Sequence, residues 1–220
     1  RDAQRLVNQD RNVFGSCMLA HGDADGMVTG VTRNYDVCLT DVRLSLDPLP
    51  DSDVIGMSMV INRGKTIFIA DTSVNELPNG EQLAGIAKEA AMAVKRLGLV
   101  PRVAFLSYST FGNPMGERAE KVRDAVEILD ACGDCDFEYE GDIAADVALN
   151  PMHKVLYPFS RLSGEANLLV MPAIHSASIS TKLLEGMSRA TIIGPVLLGM
   201  SKSVQIASLG ATVNDIVNLA

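Results

Sequence analysis

The chain has 220 residues, of which 47% are hydrophobic and 21% are charged, so it is not a disordered protein and can bury a large core. Its formal net charge of −8 argues against binding to nucleic acid or to an anionic membrane, since both attract basic surfaces. No apolar run reaches the roughly 18 residues of a membrane span, and no signal peptide is visible. We therefore expect a cytoplasmic globular chain. Because it begins with Arg1 and ends in a helical pattern, we also expect a fragment of a longer polypeptide.

Helix and strand patterns alternate along the chain. Helices are predicted over 2–20 and 35–44, with a short buried strand at 25–30 between them. Two apolar runs around a turn containing Gly64 predict a β-hairpin over 55–71, placed at an antiparallel edge. The remaining predictions are helices over 77–98, 116–131, 176–187 and 212–220, and strands over 102–109, 136–142, 166–172, 190–199 and 202–210.

This alternation predicts an α/β fold with a largely parallel sheet and helices on both faces. In such sheets, ligands bind beyond the carboxyl ends of the strands, in the loops that lead to helices. The loops after residues 107, 171 and 206 are therefore the places to search for a site.

The four cysteines are too few for a disulfide scaffold. Cys132 and Cys135 have the spacing of a redox or zinc pair. They follow a helix and lie among aspartates, which disfavour a reactive thiolate, and a zinc ion would need two further ligands. A plain surface turn is the favoured interpretation, and no metal site is expected in this chain.

The loop at 107–116 is the first candidate site. It offers the hydroxyl groups of Ser107, Ser109 and Thr110, and Gly112 leads towards a helix start. Backbone N–H groups and the positive end of a helix dipole suit a phosphate or another anion. The alternative is a capped loop between a strand and a helix, without any ligand.

The segment 159–178 is the second candidate, with Lys182 one helical turn further on. Gly164 and Asn167 precede a buried strand, and His175, Ser178 and Lys182 lie in the first turns of the following helix. Polar groups around one helix N-terminus could hold phosphates or an acyl carrier. They could equally form an ordinary N-terminal cap, with His175 in a structural role.

The third candidate is the C-terminal stretch, where Ser208 precedes Gly210 and Asp215 lies in the last helix. Thr212 can cap that helix, so a purely structural capping box is an equal alternative. No histidine lies close in sequence to Ser208 to act as its base.

Five motifs, in this order, carry a family resemblance: "GDADGMVTG", "PRVAFLSYST", "GEANLLVMP", "IGPVLLGMSKSVQI" and "GATVNDIVN". The chain resembles the phosphate acetyl/butyryltransferases over nearly its whole length. Longer stretches, such as "PFSRLSGEANLLVMPAIHSASISTKLL", resemble one branch more closely. That branch is the phosphotransacetylase-like C-terminal domain of bacterial multidomain NADP-dependent malic enzymes.

The resemblance implies two α/β domains with a cleft between them, in an architecture like that of isocitrate and isopropylmalate dehydrogenases. Residues 1–75 and 191–220 would form an N-terminally truncated first domain, and residues 76–190 an inserted second domain. It also implies a homodimer or larger oligomer, a fused N-terminal malic enzyme domain, and acetyl-CoA or CoA as the ligand of the cleft. NADP and a divalent metal would belong only to the absent catalytic domain.

Compared residue by residue, Ser208 matches the family's serine that contacts the CoA thiol, and Asp215 matches its proposed base. Leu209 stands where the family has an arginine that holds phosphate or the developing oxyanion. Losing such a donor costs a factor of about 10²–10³ in rate. A second family arginine would fall near Thr40, so the resemblance implies a cleft that keeps its ligand but not its chemistry.

Three functions follow from these observations. The first is a regulatory acetyl-CoA-binding and oligomerisation domain of an NADP-dependent malic enzyme, with Ser208 and Asp215 vestigial. The second is an active phosphate acetyltransferase in which Arg33, Arg43 or Arg161 replaces the missing arginines. The third is a purely structural oligomerisation domain with an empty cleft. Malate oxidation is not expected in this chain, because it has no Gly-x-Gly-x-x-Gly fingerprint.

Overall fold

The computed structural model describes residues 2–133, 135–188 and 190–220. Its main sheet has six strands in the order β5-β4-β6-β3-β2-β7, and its second sheet pairs β1 with β8 in parallel. The strands are β1 Gly26–Gly30, β2 Ile55–Asn62, β3 Lys65–Ala70, β4 Arg102–Leu106, β5 Glu138–Ile143, β6 Leu168–Val170, β7 Thr191–Leu198 and β8 Ser203–Ala207.

Helices connect the strands almost throughout, as the alternating pattern predicts. In the described ranges they are α1 Asp2–Gln9, α2 Arg11–His21, α3 Tyr35–Val42, α4 Gly80–Arg96, α5 Glu117–Cys132, α6 Ala145–Ala148, α7 His153–Leu156, α8 Ile174–Met187 and α9 Val213–Leu219. The α/β class and the largely parallel sheet are confirmed, with β2 as the strand that runs against its neighbours.

Strand residues alternate between two packed faces, as period-two geometry requires. On one face, Val103 and Phe105 pack with α4 and α5. On the other face, Ala104 and Leu106 pack with residues of α6 and α8. A third cluster, which includes Leu19 of α2, joins the two sheets. The sheet is therefore covered on both sides, and ligand access is left to its loops.

Three sequence predictions about individual elements are wrong. The hairpin of β2 and β3 lies inside the sheet, because β6 pairs with β3 and β7 pairs with β2 on its two sides. The strand at 25–30 is buried at none of its positions, whereas its partner β8 in the two-stranded sheet has three buried residues. The predicted helix over 2–20 is divided at Asp10, which is extended and caps α2 by accepting hydrogen bonds from the N–H groups of Asn12 and Val13.

The division into two domains remains a prediction, since β3 of the first segment pairs directly with β6 of the second. At the predicted surface turn, Cys132 is exposed and Cys135 is half-buried, and the intervening Asp134 lies outside the described residues. In the ranges that the structure describes, no helix is long and apolar enough to cross a membrane.

Candidate ligand-binding cleft

A cleft of about 560 Å³ opens between the two sheets and α8. This volume is typical of small-molecule sites in proteins. Ser208, Leu209, Gly210, Ala211 and Asp215 form one wall, which follows β8 and enters α9. The cleft therefore forms where the sequence predicts the third candidate site.

The second wall belongs to α8 and carries Ser178, Thr181, Lys182 and Glu185. Ser178 and Lys182 can share this wall because helical residues four positions apart lie on one face. The Thr181 hydroxyl donates to the carbonyl of Ala177 at 2.7 Å and is held within the helix. Two of the three loops predicted from the sequence thus meet at one cleft, as the rule for carboxyl ends of strands requires.

The third wall was not predicted, and it is rich in hydroxyl groups. It consists of Tyr35 and Asp36 at the start of α3, Ser58 on β2, and Thr72 and Ser73 after β3. The Thr72 hydroxyl donates to the carbonyl of Gly56 at 3.1 Å and accepts from Ser58 at 3.0 Å. One sequence feature could have indicated this wall: the hydroxyl residues Thr72 and Ser73 directly follow a buried strand. Because the hairpin was predicted at the edge of the sheet, these two residues were not considered as part of a site.

A buried carboxylate shapes the loop that holds Thr72 and Ser73. Asp71 is 2% exposed, and it accepts hydrogen bonds from the backbone N–H groups of Gly56, Ser73, Val74 and Asn75 at 2.7–3.1 Å. These donors satisfy a charge that would otherwise be costly to bury. Asp71 therefore fixes the hydroxyl wall without itself lining the cleft.

Burial raises the pKa of Tyr35 to about 12, and the nearby Ser73 side chain opposes this shift. The Tyr35 hydroxyl is buried beside Ser73 without a hydrogen bond of ordinary geometry to any described residue. Tyr35 is consequently a neutral phenol at physiological pH and keeps its proton for donation.

The carboxylate of Asp215 is engaged locally. It accepts from the backbone N–H and the hydroxyl of Thr212, both at 2.8 Å, and Thr212 in turn caps α9. These two bonds, the backbone one first, lower the pKa of Asp215. A carboxylate with a lowered pKa is a weaker base, so this geometry serves the helix cap better than proton abstraction. The capping box proposed from the sequence is confirmed.

Leu209 is 64% exposed and lines the cleft beside Ser208. Its side chain offers no hydrogen-bond donor at the position where the family resemblance implies an arginine. Among the described lining residues, Lys182 is the cation, whereas Asp36, Glu185 and Asp215 are carboxylates. Three carboxylates against one ammonium group give the described lining a formal charge of −2.

The arginines suggested as substitutes do not line this cleft. Arg33 forms ion pairs with Asp10 and with Asp41, and Arg161 pairs with Asp130. Arg43 lies near Tyr35, where its charge lowers the phenol pKa slightly against the dominant effect of burial. Thr40 donates to the carbonyl of Asp36 at 2.8 Å and contributes no charge.

The loop at 107–116 already contacts an anion, which is part of the protein. Asp142 is fully buried and accepts from the Ser109 hydroxyl, from the Gly112 N–H at 3.0 Å and from Arg123 at 3.3 Å. The Ser107 hydroxyl accepts from the N–H of Ser109, and that of Thr110 accepts from the N–H of Ala144. Anion binding by Ser107, Ser109, Thr110 and Gly112 remains a prediction, and none of them lines the cleft.

Other predicted site residues also lie outside the cleft lining. Asn167 accepts from the N–H of Arg102 at 2.7 Å and donates to the carbonyl of Val100 at 2.9 Å, so it fastens β4 to the start of β6. Gly164 lies near the Arg102 side chain. His175 is exposed in the first turn of α8. In the described ranges, no three acidic, histidine or cysteine residues are grouped as a metal site would require.

Known proteins resemble this chain in sequence and in structure. An NADP-dependent malic enzyme of Rhizobium meliloti (strain 1021) is 60% identical over 220 residues, which are 100% of this chain and 29% of that protein. A phosphate acetyltransferase of Corynebacterium glutamicum is 31% identical, over 99% of this chain and 66% of its own length. The chain thus spans less than a third of the malic enzyme relative.

A solved phosphotransacetylase from Streptococcus pyogenes superimposes with a TM-score of 0.88 at 29% identity, covering 94% of this chain and 64% of the solved one. The EutD phosphotransacetylase from Staphylococcus aureus gives a TM-score of 0.85 at 27% identity. The family model described as "Phosphate acetyl/butaryl transferase" matches residues 1–220. With its α/β fold and the Ser208 cleft between two sheets, this chain belongs to the phosphate acetyl/butyryltransferase family.

Proposed function

We propose that this chain is the phosphotransacetylase-like domain of an NADP-dependent malic enzyme, and that it binds acetyl-CoA without transferring the acetyl group. Its high identity to a malic enzyme of which it covers 29% supports the fused context. The proposed loss of acetyl transfer rests on the lining of the Ser208 cleft. Its described residues include Leu209, three carboxylates and one lysine.

The charge of the cleft favours a neutral acyl thioester over phosphate. Each like-charge contact at about 4 Å costs roughly 1 kcal/mol in water and about 4 kcal/mol in a partly buried site. Among the described lining residues, no arginine would offset this repulsion for a phosphate dianion. The acetyl-pantetheine arm of acetyl-CoA is uncharged and carries amide and carbonyl groups that the hydroxyl wall can contact. The phosphates of CoA would then remain outside the cleft.

Acetyl-CoA would regulate the malic enzyme by binding one arrangement of the two parts more tightly than another. Its effect on malate oxidation is limited by that difference in affinity, since a ligand shifts an equilibrium only by its differential binding. NADP, the divalent metal and malate itself belong in this proposal to the rest of the polypeptide, which is more than two thirds of the malic enzyme relative.

The test is a calorimetric titration of the full-length protein with acetyl-CoA, CoA and acetyl phosphate. We expect saturable binding of acetyl-CoA and none of acetyl phosphate. The matched variant is Leu209→Arg, which should confer measurable binding of acetyl phosphate because it restores a donor and removes one unit of net negative charge. Formation of acetyl-CoA from acetyl phosphate and CoA, abolished by Ser208→Ala, would instead establish an active phosphate acetyltransferase.

An apolar stripe on α8 supports the oligomeric part of this proposal. Ile179, Leu183 and Met187 recur every four residues on α8 and are 58%, 53% and 84% exposed. Residues at this spacing form one continuous face, and exposed apolar faces of this kind mark protein–protein contacts. We propose that a second copy of the chain covers this face about a two-fold axis, so that the two α8 stripes pack together.

Light scattering on the full-length protein tests this contact. Leu183→Glu should reduce the number of subunits, because it places a charge at the centre of the stripe. Met92→Glu is the control, since Met92 is a partly exposed residue of α4 on the opposite face of the sheet. An unchanged assembly in Leu183→Glu would exclude α8 as the subunit contact.

A further inference from the structure

One side chain joins the two sheets beside the cleft. Gln205 of β8 accepts a hydrogen bond from the N–H of Leu197 at 2.8 Å and donates one to the carbonyl of Leu197 at 3.1 Å. Leu197 lies on β7, the edge strand of the six-stranded sheet. The amide of Gln205 thus satisfies both backbone groups of one edge residue, as a neighbouring strand would do.

In the described ranges, β7 and β8 belong to separate sheets and share no backbone pairing. The two hydrogen bonds of Gln205 therefore take the place of the backbone hydrogen bonds that a neighbouring strand would form. Leu197 is 4% exposed, so water does not readily replace Gln205 as the partner of its backbone. Leaving these buried groups unsatisfied would carry their full desolvation cost. Apolar packing from Val204 and Ile206 also holds the sheets together, but it does not specify register as a paired amide does.

The cleft walls belong to different sides of this junction. The Ser208 loop is fastened to β1, because the N–H of Val31 donates to Ala207 and the N–H of Gly210 donates to Val31, both at 3.2 Å. Gly194 and Pro195, which line the cleft as a further wall, belong to β7. Gln205 lies three residues before Ser208 and Leu197 lies two residues after Pro195, so the two hydrogen bonds between them lie close to both walls.

We propose that Gln205 is a positioning residue for the cleft. Its paired hydrogen bonds to Leu197 fix the spacing between the Ser208 loop and the Gly194–Pro195 wall, and this spacing sets the affinity for the acyl thioester. The affinity part of the inference rests on the proposed function. The positional part concerns the two walls alone and does not depend on any ligand.

The chain contains a matched control for this experiment. Asn167 uses its amide in the same way, accepting from one backbone N–H and donating to one backbone carbonyl, but it fastens β4 and lies outside the cleft lining. Gln205→Met and Asn167→Leu each keep the approximate size of the side chain and remove both hydrogen bonds. The two variants therefore carry a similar general loss of stability, and only Gln205→Met alters the cleft.

We expect Gln205→Met to weaken acetyl-CoA binding to the full-length protein about 10-fold, which corresponds to roughly 1.4 kcal/mol. Asn167→Leu should change the affinity less than about 2-fold at a comparable shift of the urea midpoint. Hydrogen exchange should be faster over residues 207–212 in Gln205→Met and unchanged there in Asn167→Leu. Equal effects of the two variants on affinity and on exchange would overturn the proposal, as would wild-type behaviour of Gln205→Met.

Two further arms separate the possible failures. If Gln205→Met does not fold, Gln205→Glu replaces it, because a carboxylate retains the hydrogen-bond acceptor and loses only the donor. Faster hydrogen exchange over residues 207–212 is again expected. An unchanged exchange rate again contradicts the inference. If wild-type protein binds no acetyl-CoA, the proposed function fails. The exchange rates over 207–212 then decide the positioning role by themselves.

Discussion

At the residue scale, hydrogen-bond partners distinguish a site from a structural motif more clearly than residue types do. Ser109 and Gly112 have the chemistry of an anion site, and the anion that they contact is Asp142. Asp215 matches a family base, and its oxygens are held by Thr212. The capping box of Thr212 and Asp215 can be proposed from the sequence, whereas the contact with Asp142 cannot, because Asp142 lies 30 positions from Gly112 and 33 from Ser109.

Removal of Asp142 tests its structural importance. Asp142→Ala leaves Arg123, the Gly112 N–H and the Ser109 hydroxyl without their common acceptor in a fully buried position. We expect the free energy of unfolding to fall by about 3–5 kcal/mol, as for other buried pairs that lose one partner. Urea unfolding followed by circular dichroism measures this difference.

The control is Asp130→Ala, which removes an exposed partner of Arg161. Exposed ion pairs contribute about 0–1 kcal/mol, so this variant should remain close to wild type. Similar losses in the two variants would show that burial of Asp142 does not determine its contribution.

At the element scale, one glycine decides how β7 passes the cleft. The register between β2 and β7 shifts between Met57 and Met59, opposite Gly194, which has a φ of +126°. A Cβ atom at Gly194 would lie 2.8 Å from the carbonyl oxygen of Met57. This irregularity brings Ser58, Gly194 and Pro195 together in the cleft lining.

Gly194→Ala should therefore lower the free energy of unfolding by about 1–3 kcal/mol through backbone strain. It should also weaken acetyl-CoA binding, since β7 must shift away from β2. Gly186→Ala in α8 provides the comparison, because no atom lies within 4 Å of its added Cβ. Alanine is favoured over glycine within a helix by up to about 1 kcal/mol, and Gly186 lies in the last turn of α8, so this variant should keep or slightly gain stability in the same urea assay. A neutral Gly194→Ala would mean that β7 adapts without cost.

Several secondary-structure elements can be predicted from local sequence patterns alone. The hairpin of β2 and β3, helices α4 and α5, and the capping box at Thr212 follow from periodicity and capping residues within the segments themselves. The position of the hairpin within the sheet does not follow, because its neighbours β6 and β7 are about 100 or more residues away. Local sequence patterns do not specify which distant strands will pair.

At the scale of the whole molecule, stability should depend on acidic groups with lowered pKa. Hydrogen bonding to Arg161 lowers the pKa of Asp130, and hydrogen bonding to Lys95 lowers that of Asp136. For Asp10, burial acts to raise the pKa but is outweighed by hydrogen bonds that include one from Arg33. Each carboxylate binds its proton less readily in the folded chain than in the unfolded one.

A carboxyl group with a lowered folded pKa stabilises the fold above its unfolded value, which is 3.8 here, and loses that contribution as pH falls through the folded value. We therefore expect the free energy of unfolding to decrease below about pH 4. The raised pKa of Glu89, caused by burial, acts in the opposite direction and partly relieves this loss. Urea titrations at about pH 7, 5, 4 and 3 measure the dependence, and constant stability across this range would contradict it.

The sequence by itself determined the α/β class, most helix and strand positions, the family and the corner at Ser208 and Asp215. These properties follow from local periodicity, capping residues and the order of motifs, so they can be predicted without knowing which distant segments are in contact. The tertiary structure alone decided that Tyr35, Ser58 and Ser73 join that corner, that Asp142 occupies the loop at 107–116, and that Gln205 bridges the two sheets. The physical reason is that burial, charge pairing and edge-strand contacts arise between segments far apart in the chain, and only folding brings those segments together.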